Sequence, residues 1–69
     1  MNTTSTSRNV RAEMVRKGKT HEQLAEAIGM SIATWHRRYR ADSWSVAEVK
    51  LIATALRIKI SALIGEEAA

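Results

Sequence analysis

The sequence predicts an all-α domain of five helices. The chain has 69 residues and no proline, and alanine, leucine, glutamate, arginine and lysine, which favour helices, dominate its composition. Apolar residues recur at helical spacing, whereas the alternation typical of strands is missing. Because 69 residues suffice for one domain only, we expect residues 8–65 to form it, between a flexible polar N-terminus (residues 1–7) and a short tail (residues 66–69).

The first predicted helix runs from about Arg8 to Lys17. Ser7 is suited to be its N-cap because a serine hydroxyl can accept a backbone amide proton, and Gly18 can end the helix in a left-handed conformation. Val10 and Met14 are separated by one helical turn and share the face that we expect to be buried. The other faces of this helix are basic.

The second predicted helix follows Thr20 and ends at Gly29. Thr20 and Gln23 have the spacing of a capping box, in which each side chain bonds to the backbone of the other residue. Its buried stripe consists of Leu24, Ala25 and Ile28.

The third predicted helix starts after the N-cap Ser31 and runs from Ile32 to about Arg40. Trp35 and Tyr39 lie on one face, one helical turn apart. The opposite face carries Ala33, Arg37 and Arg40.

The fourth predicted helix follows a short polar connection over residues 41–44. Ser45 and Glu48 form a second capping box pattern, and the helix continues to Leu56. Its core stripe, at positions i, i+3, i+4 and i+7, consists of Val49, Ile52, Ala53 and Leu56.

The last predicted helix is short and covers residues 61–64, before Gly65. Leu63 can close the core of the domain. A domain of this size often gains stability from a partner subunit, and we expect dimerisation through the apolar residues nearest the chain end, Ile58, Ile60, Leu63 and Ile64.

The composition excludes several classes of protein. Without cysteine there are no disulfides, and the two histidines, His21 and His36, fall short of a structural zinc site, so we expect neither a metal nor another cofactor. No apolar run approaches the roughly 20 residues that cross a bilayer, and residues 1–7 lack the apolar segment of a signal peptide, which favours the cytoplasm. A net charge of +4 indicates an acidic partner, either nucleic acid or anionic lipid.

The stretch from Thr20 to Arg40 carries the functional signal. The short connection between its two helices requires a positive φ at Gly29 and a small residue, such as Ala25, where the helix backbones approach each other. It also requires apolar side chains between the helices, and these are supplied by Leu24, Ile28, Met30 and Trp35. With THEQLAEAIGMSIATWHRRYR followed by SVAEVKLIATAL and ISALIG, the chain resembles the Cro and repressor (Xre) family of helix-turn-helix DNA-binding proteins of phages and bacteria. The resemblance covers residues 8–65 and implies a five-helix lambda-repressor-like fold.

The resemblance also implies that the third helix enters the major groove of DNA and that the second lies across the backbone. The positions that match base-reading residues, with their neighbours, are Ile32, Ala33, Thr34, Arg37 and Arg40. His21 matches a phosphate-contacting position. The helical wheel turns Ile32 towards the core side, although its apolar surface at the helix end could still touch a thymine methyl group.

Further phosphate contacts are expected from basic and polar residues around these helices, namely Arg8, Arg11, His36, Arg38 and Ser45. Two positions depart from the family pattern: Arg38 stands where an apolar residue is usual, and Arg57 replaces a common glycine. We expect Tyr39 to take over the core role, while Arg38 lays its aliphatic stem on apolar surface and directs its charge to phosphate.

The two tryptophans admit other interpretations. Trp35 could stack on single-stranded nucleic acid, but its helical spacing from Tyr39 favours the core. Trp44 either plugs the gap beneath the fourth helix or leans on the sugar-phosphate backbone. Catalytic residue types are present, but no nucleophile elbow, metal spacing or phosphate loop organises them, so we do not expect an enzyme.

These observations predict a small Cro-like or repressor-like transcriptional regulator that binds an operator as a homodimer. The alternative is a protein-interaction module on the same scaffold, such as an antitoxin, an antirepressor or a sigma-factor modulator, because a fold does not fix a function. The basic residues of the third helix favour DNA.

Overall fold

The computed structural model describes residues 5–64. Within this range the chain forms five α-helices and no strand, as predicted: α1 (Thr6–Lys17), α2 (His21–Ala27), α3 (Ile32–Ala41), α4 (Val46–Leu56) and α5 (Ile60–Ile64). None of these helices is both long and apolar enough to cross a membrane. Residues 1–4 of the predicted N-terminal segment, Gly65 at the end of the predicted domain and the predicted tail, residues 66–69, lie outside the described residues.

The start of α1 differs from the prediction, because Ser5 rather than Ser7 is its N-cap. The Ser5 hydroxyl accepts a hydrogen bond from the backbone N–H of Arg8 at 3.2 Å. Ser7 instead lies in the first turn and is buried. Either serine could cap the helix by its chemistry, and the tertiary bonds of Ser7 described below decide between them. α1 therefore starts at Thr6 rather than at Arg8.

The predicted caps of the next helices are confirmed. Thr20 and Gln23 form the capping box of α2, with bonds of 2.8 and 3.1 Å. Ser45 and Glu48 form that of α4 at 2.9 and 3.1 Å. The hydroxyl of Ser31 accepts the N–H of Thr34 at 3.2 Å at the start of α3. Each box satisfies backbone donors that a helix start leaves free.

Two helices end at residues other than glycine in the left-handed conformation. Asp42 ends α3 with φ of 55°, and Arg57 ends α4 with φ of 61°. The resemblance leads one to expect glycine at the position of Arg57, and the backbone there adopts the conformation that favours glycine. The arginine therefore carries conformational strain, which is tested below.

The core joins all five helices. α1 packs against α4 and α5, α2 packs against α3 and α4, and α4 packs against α5. The buried apolar residues are Val10, Met14, Leu24, Ala25, Trp35, Val49, Ile52, Ala53, Leu56 and Leu63. These confirm the predicted stripes of α1 and α4 and, in α2, Leu24 and Ala25, whereas Ile28 is only partly buried against the core. α3 contributes only Trp35 to this set. Its exposed residues are Ile32, Ala33, Arg37, Arg40 and Ala41.

Candidate nucleic-acid interface

The solvent face of α3 carries most of the predicted base-reading residues. Trp35 is fully buried on the other side, so the helix has a clear front and back. The helical wheel placed Ile32 towards the core side, but its side chain is 37% exposed. It is exposed because it is the first residue of α3. Thr34 is half-buried, and the exposed members of the set are Ile32, Ala33, Arg37 and Arg40.

A short chain of hydrogen bonds orients Arg37. The Ser31 hydroxyl donates to Thr34 Oγ1 at 3.0 Å. Arg37 Nη2 donates to the same oxygen at 3.4 Å. The guanidinium group is therefore drawn back towards the start of α3 instead of extending away from the helix.

His21, predicted to contact phosphate, is joined to α3 by a hydrogen bond from Trp35. Trp35 Nε1 donates to His21 Nδ1 at 2.9 Å. Because an indole N–H can only donate, Nδ1 of His21 must carry a lone pair, and the proton of the neutral ring is then on Nε2. The bond to Trp35 thus selects the tautomer and leaves Nε2–H as a donor for other groups.

His21 is also the centre of a cluster of rings. Its ring centroid lies 4.9 Å from that of Tyr39, 5.4 Å from that of His36 and 6.1 Å from that of Trp35. Burial lowers the pKa of His21 below its usual value, and the neighbouring charges of His36 and Arg11 lower it further, against an opposing effect of Glu22. The structure therefore favours the neutral ring.

Arg38 faces α4, which corrects the expectation that its charge is directed mainly outwards. Its Nη1 atom lies 3.0 Å from both carboxylate oxygens of Glu48. The side chains of the two residues are 36% and 16% exposed. Glu48 also accepts the backbone N–H of Ser45, so one carboxylate caps α4 and holds the end of α3. This ion pair accounts for a charged residue at a position that the resemblance marks as apolar.

Three hydrogen bonds join the start of α1 to the end of α3. Ser7 N–H donates to Asp42 Oδ1 at 2.9 Å, and the Ser7 hydroxyl donates to the carbonyl oxygen of Tyr39 at 2.8 Å. Trp44 Nε1 donates to the Ser7 hydroxyl at 3.0 Å, and its ring packs edge-on against Trp35 with centroids 5.0 Å apart. Of the two interpretations of Trp44, the structure therefore shows packing. No sequence pattern indicated this junction.

The remaining predicted phosphate contacts are distributed around this centre. Arg8 and Arg11 are exposed on α1, and His36 is half-buried on α3. The charge of Arg11 also contributes to the lowered pKa of His21. Ser45 is exposed, but its backbone N–H is bonded to Glu48 within the capping box.

The charges of the exposed arginines are largely uncompensated. Within residues 5–64, carboxylates lie within 4.0 Å of two arginines only, Arg16 beside Glu13 and Arg38 beside Glu48. Arg8, Arg11, Arg37 and Arg40 have no such partner in this part of the chain. They therefore leave positive potential on the surfaces of α1 and α3.

Neither a metal site nor a relative gives further guidance. Over residues 5–64, no three side chains of the metal-binding types cluster together. Comparison of the chain with protein-family models, curated proteins and solved structures found no match.

Proposed function

We propose that this chain binds double-stranded DNA sequence-specifically, with α3 in the major groove, and acts as a small Cro-like or repressor-like transcriptional regulator. The observation that carries the proposal is the two-sided character of α3. Trp35 fixes its back in the core, while the exposed Arg37 and Arg40 on its front meet no carboxylate within residues 5–64. A helix of this kind suits the major groove, which is about 12 Å wide and in which guanine presents hydrogen-bond acceptors.

Base recognition is assigned to the start and front of α3. Arg37 can donate two hydrogen bonds to guanine O6 and N7, and its bond to Thr34 draws it towards the start of the helix. Ile32 and Ala33 offer apolar surface that fits a thymine methyl group. Arg38 has a different role, because its charge is engaged by Glu48 and only its remaining donors are free for phosphate.

Phosphate contact is assigned first to His21. Its Nε2–H is a donor even when the ring is neutral, because Trp35 holds the tautomer. Arg8 and Arg11 add charge from α1, and His36 and Ser45 are secondary candidates. Such contacts fix the position of a protein on the duplex without reading its sequence.

A homodimer on two half-sites is part of the proposal. The structure narrows the surface available for it, because Leu63 is fully buried within its own subunit and Ile58 and Ile60 pack against the core. Ile64 on α5 and Leu51 on α4 remain 42% and 49% exposed. Sedimentation of the protein, free and with duplex, tests this part: a monomer in both conditions would contradict it.

The decisive experiment starts from a randomised duplex library, because the operator sequence is unknown. Duplexes retained by the protein are enriched and sequenced, and binding to the preferred site is measured by fluorescence anisotropy. Arg37→Ala should weaken binding to the enriched site about 10-fold or more. Lys50→Ala, which removes the same charge from an exposed position on α4, is the matched control and should have a much smaller effect.

The same experiment separates the proposal from its alternative. Enrichment of one sequence that depends on Arg37 supports DNA recognition. If the protein retains no duplex at low or moderate salt, the scaffold instead serves a protein partner, as an antitoxin or antirepressor would.

A further inference from the structure

A basic groove, here called the α1 groove, runs along the outer face of α1. It is open to solvent and is lined by Arg8, Arg11, Ala12, Val15 and Arg16. These positions are i, i+3, i+4, i+7 and i+8, so they share one face of the helix over about 12 Å of its axis. Val15 is 72% exposed, and the groove therefore combines apolar surface with three guanidinium groups.

The positive charges of the α1 groove are weakly compensated. Arg16 Nη1 lies 3.4 Å from Glu13 Oε2, and the Arg16 side chain is 69% exposed. Such an exposed ion pair contributes little free energy, because water solvates both charges. Arg8 and Arg11 have no carboxylate within 4.0 Å among residues 5–64. All three guanidinium groups are thus open to an acidic partner.

The combination of charge and apolar surface distinguishes between acidic partners. A DNA backbone matches the arginines, but it is a row of charged phosphates and does not cover an apolar side chain such as Val15. A lipid surface is bound by helices with a broad apolar face, whereas Val15 is the one large apolar residue exposed within Thr6–Lys17.

An amphipathic helix with carboxylates on both sides of an apolar residue complements both features of the α1 groove. Its apolar side chain would cover Val15, and its carboxylates would pair with the arginines. Side chains three and four residues apart on such a helix match the spacing of the residues that line the groove. We propose that the α1 groove binds an acidic amphipathic helix of a partner protein.

Docking has a consequence that rests on the proposed function. Arg8 and Arg11 are assigned to DNA phosphate, so the carboxylates of the bound helix compete with phosphate for the same guanidinium groups. The partner then lowers affinity for all duplexes alike, because phosphate contacts carry no sequence information. It regulates DNA binding without contacting the front of α3.

Docking can be tested without DNA. The probe is a displayed library of peptides of about 18 residues, long enough to form a helix, with one face randomised. Enriched peptides should carry carboxylates on both sides of a large apolar residue. In anisotropy titrations at low salt, Val15→Gln should weaken binding of the best peptide about fivefold or more, because apolar contact is lost. Val46→Gln, at a valine that is 69% exposed on α4, is the matched control and should have no effect.

Charge substitutions locate the peptide on the molecule. Arg11→Gln should weaken peptide binding up to about fivefold, the range expected for one exposed ion pair. Arg40→Gln, which removes an exposed arginine from α3, should have a much smaller effect. A selection that enriches no acidic peptide would overturn the proposal, and so would a peptide that tolerates Val15→Gln as well as Val46→Gln. Greater sensitivity to Arg40→Gln than to Arg11→Gln would also overturn it, because the peptide would then lie on α3.

Competition is tested with the enriched duplex at low salt. Saturating peptide should lower duplex affinity about fivefold, and an unchanged affinity would refute competition. Val15→Gln alone should leave duplex affinity unchanged, because Val15 has no assigned DNA contact. If Val15→Gln weakened duplex binding as much as peptide binding, the groove would serve the DNA backbone and the proposal would be wrong. Peptide binding by a protein that retains no duplex would refute the proposed function alone.

Discussion

The hydrogen bond from Trp35 to His21 ties the packing of α3 to a titratable side chain. A protonated imidazole has no lone pair on Nδ1, so protonation would leave the N–H of a fully buried indole without its partner. Burial of the ring, the first cause of its lowered pKa, acts in the same direction. The folded protein therefore prefers neutral His21 more strongly than the unfolded chain does.

This preference predicts a pH dependence of stability. As the pH falls through about 6.5, the usual histidine pKa, the unfolded chain takes up a proton before folded His21 does, so the free energy of unfolding decreases. His21→Asn places an amide oxygen near the position of Nδ1 and does not titrate. Urea unfolding from about pH 8 to about pH 5 should show a smaller decrease in this variant. Equal decreases in both proteins would remove His21 as the cause.

Arg37 and Arg38 are adjacent, but their replacement by alanine should cause different defects in DNA binding. Arg37→Ala should cost about 1–3 kcal/mol of binding free energy on the preferred site and relax the preference at one base pair per half-site. Arg38→Ala should weaken binding to all sequences alike. It should also lower folding stability by up to about 1 kcal/mol, because Glu48 loses a partly exposed partner. Binding to a panel of single-base operator variants distinguishes them. Should Arg38→Ala flatten the preference instead, the register of α3 on DNA is wrong by one residue.

The junction between the elements α1 and α3 depends on Ser7. Its hydroxyl serves both the Tyr39 carbonyl and the Trp44 indole. Ser7→Ala therefore leaves the indole N–H without its partner and removes one of two donors from the Tyr39 carbonyl, which still accepts the Asp42 N–H at 3.3 Å. We expect a loss of about 1–3 kcal/mol in the free energy of unfolding. Ser43→Ala, at an exposed position in the same region, is the matched control for urea unfolding and should be nearly neutral. Equal losses would show that the bonds of Ser7 contribute nothing specific.

Asp42, at the end of α3, and Arg57, at the end of α4, share the left-handed backbone conformation, but replacement by glycine should change stability differently at the two positions. At Arg57, glycine relieves a left-handed φ of 61° and should raise stability by about 1 kcal/mol. At Asp42, with φ of 55°, the same relief is offset by loss of the carboxylate that bonds to Ser7 N–H, so stability should not rise. Thermal unfolding of the two variants tests the comparison. A gain at Asp42 that matches the gain at Arg57 would mean that the bond to Ser7 is unimportant.

For the whole molecule, the uncompensated arginines predict a strong effect of salt on DNA binding. A dimer that touches roughly 6–10 phosphates should lose on the order of 10³-fold in affinity between low and moderate salt. Arg11→Gln should reduce the slope of log K against log salt by about one per bound chain. Anisotropy titrations across a salt series give this slope. A nearly flat line would exclude phosphate contact as the main source of affinity.

Local chemistry made much of the fold predictable. The capping boxes at Thr20 and Ser45 use partners three residues away, and the buried stripe of α4 follows helical periodicity, so a single segment contains the necessary information. The start of α1 was not predictable in this way. Ser5 and Ser7 are chemically equivalent caps, and the choice depends on Asp42 and Tyr39, which are distant in sequence.

The same distinction between local and long-range information applies to the candidate site. The exposed face of α3 could be predicted, because it follows from the spacing of Trp35, Arg37 and Arg40 on one helix. The partners of individual side chains could not be predicted. The bonds from Trp35 to His21 and from Arg38 to Glu48 cross between helices, and their geometry depends on how those helices pack.

The bond between Ser7 and Asp42 has a further consequence for measuring motion. It joins positions 35 residues apart, so the Ser7 amide is protected from deuterium exchange only while the end of α3 stays against the start of α1. Its exchange rate therefore reports how often α3 detaches from the domain. If a duplex immobilises α3, the Ser7 amide should exchange more slowly in the complex, although Ser7 itself is not assigned to DNA. The exchange rate of one backbone N–H thus reports the opening of the helix that is proposed to read the bases.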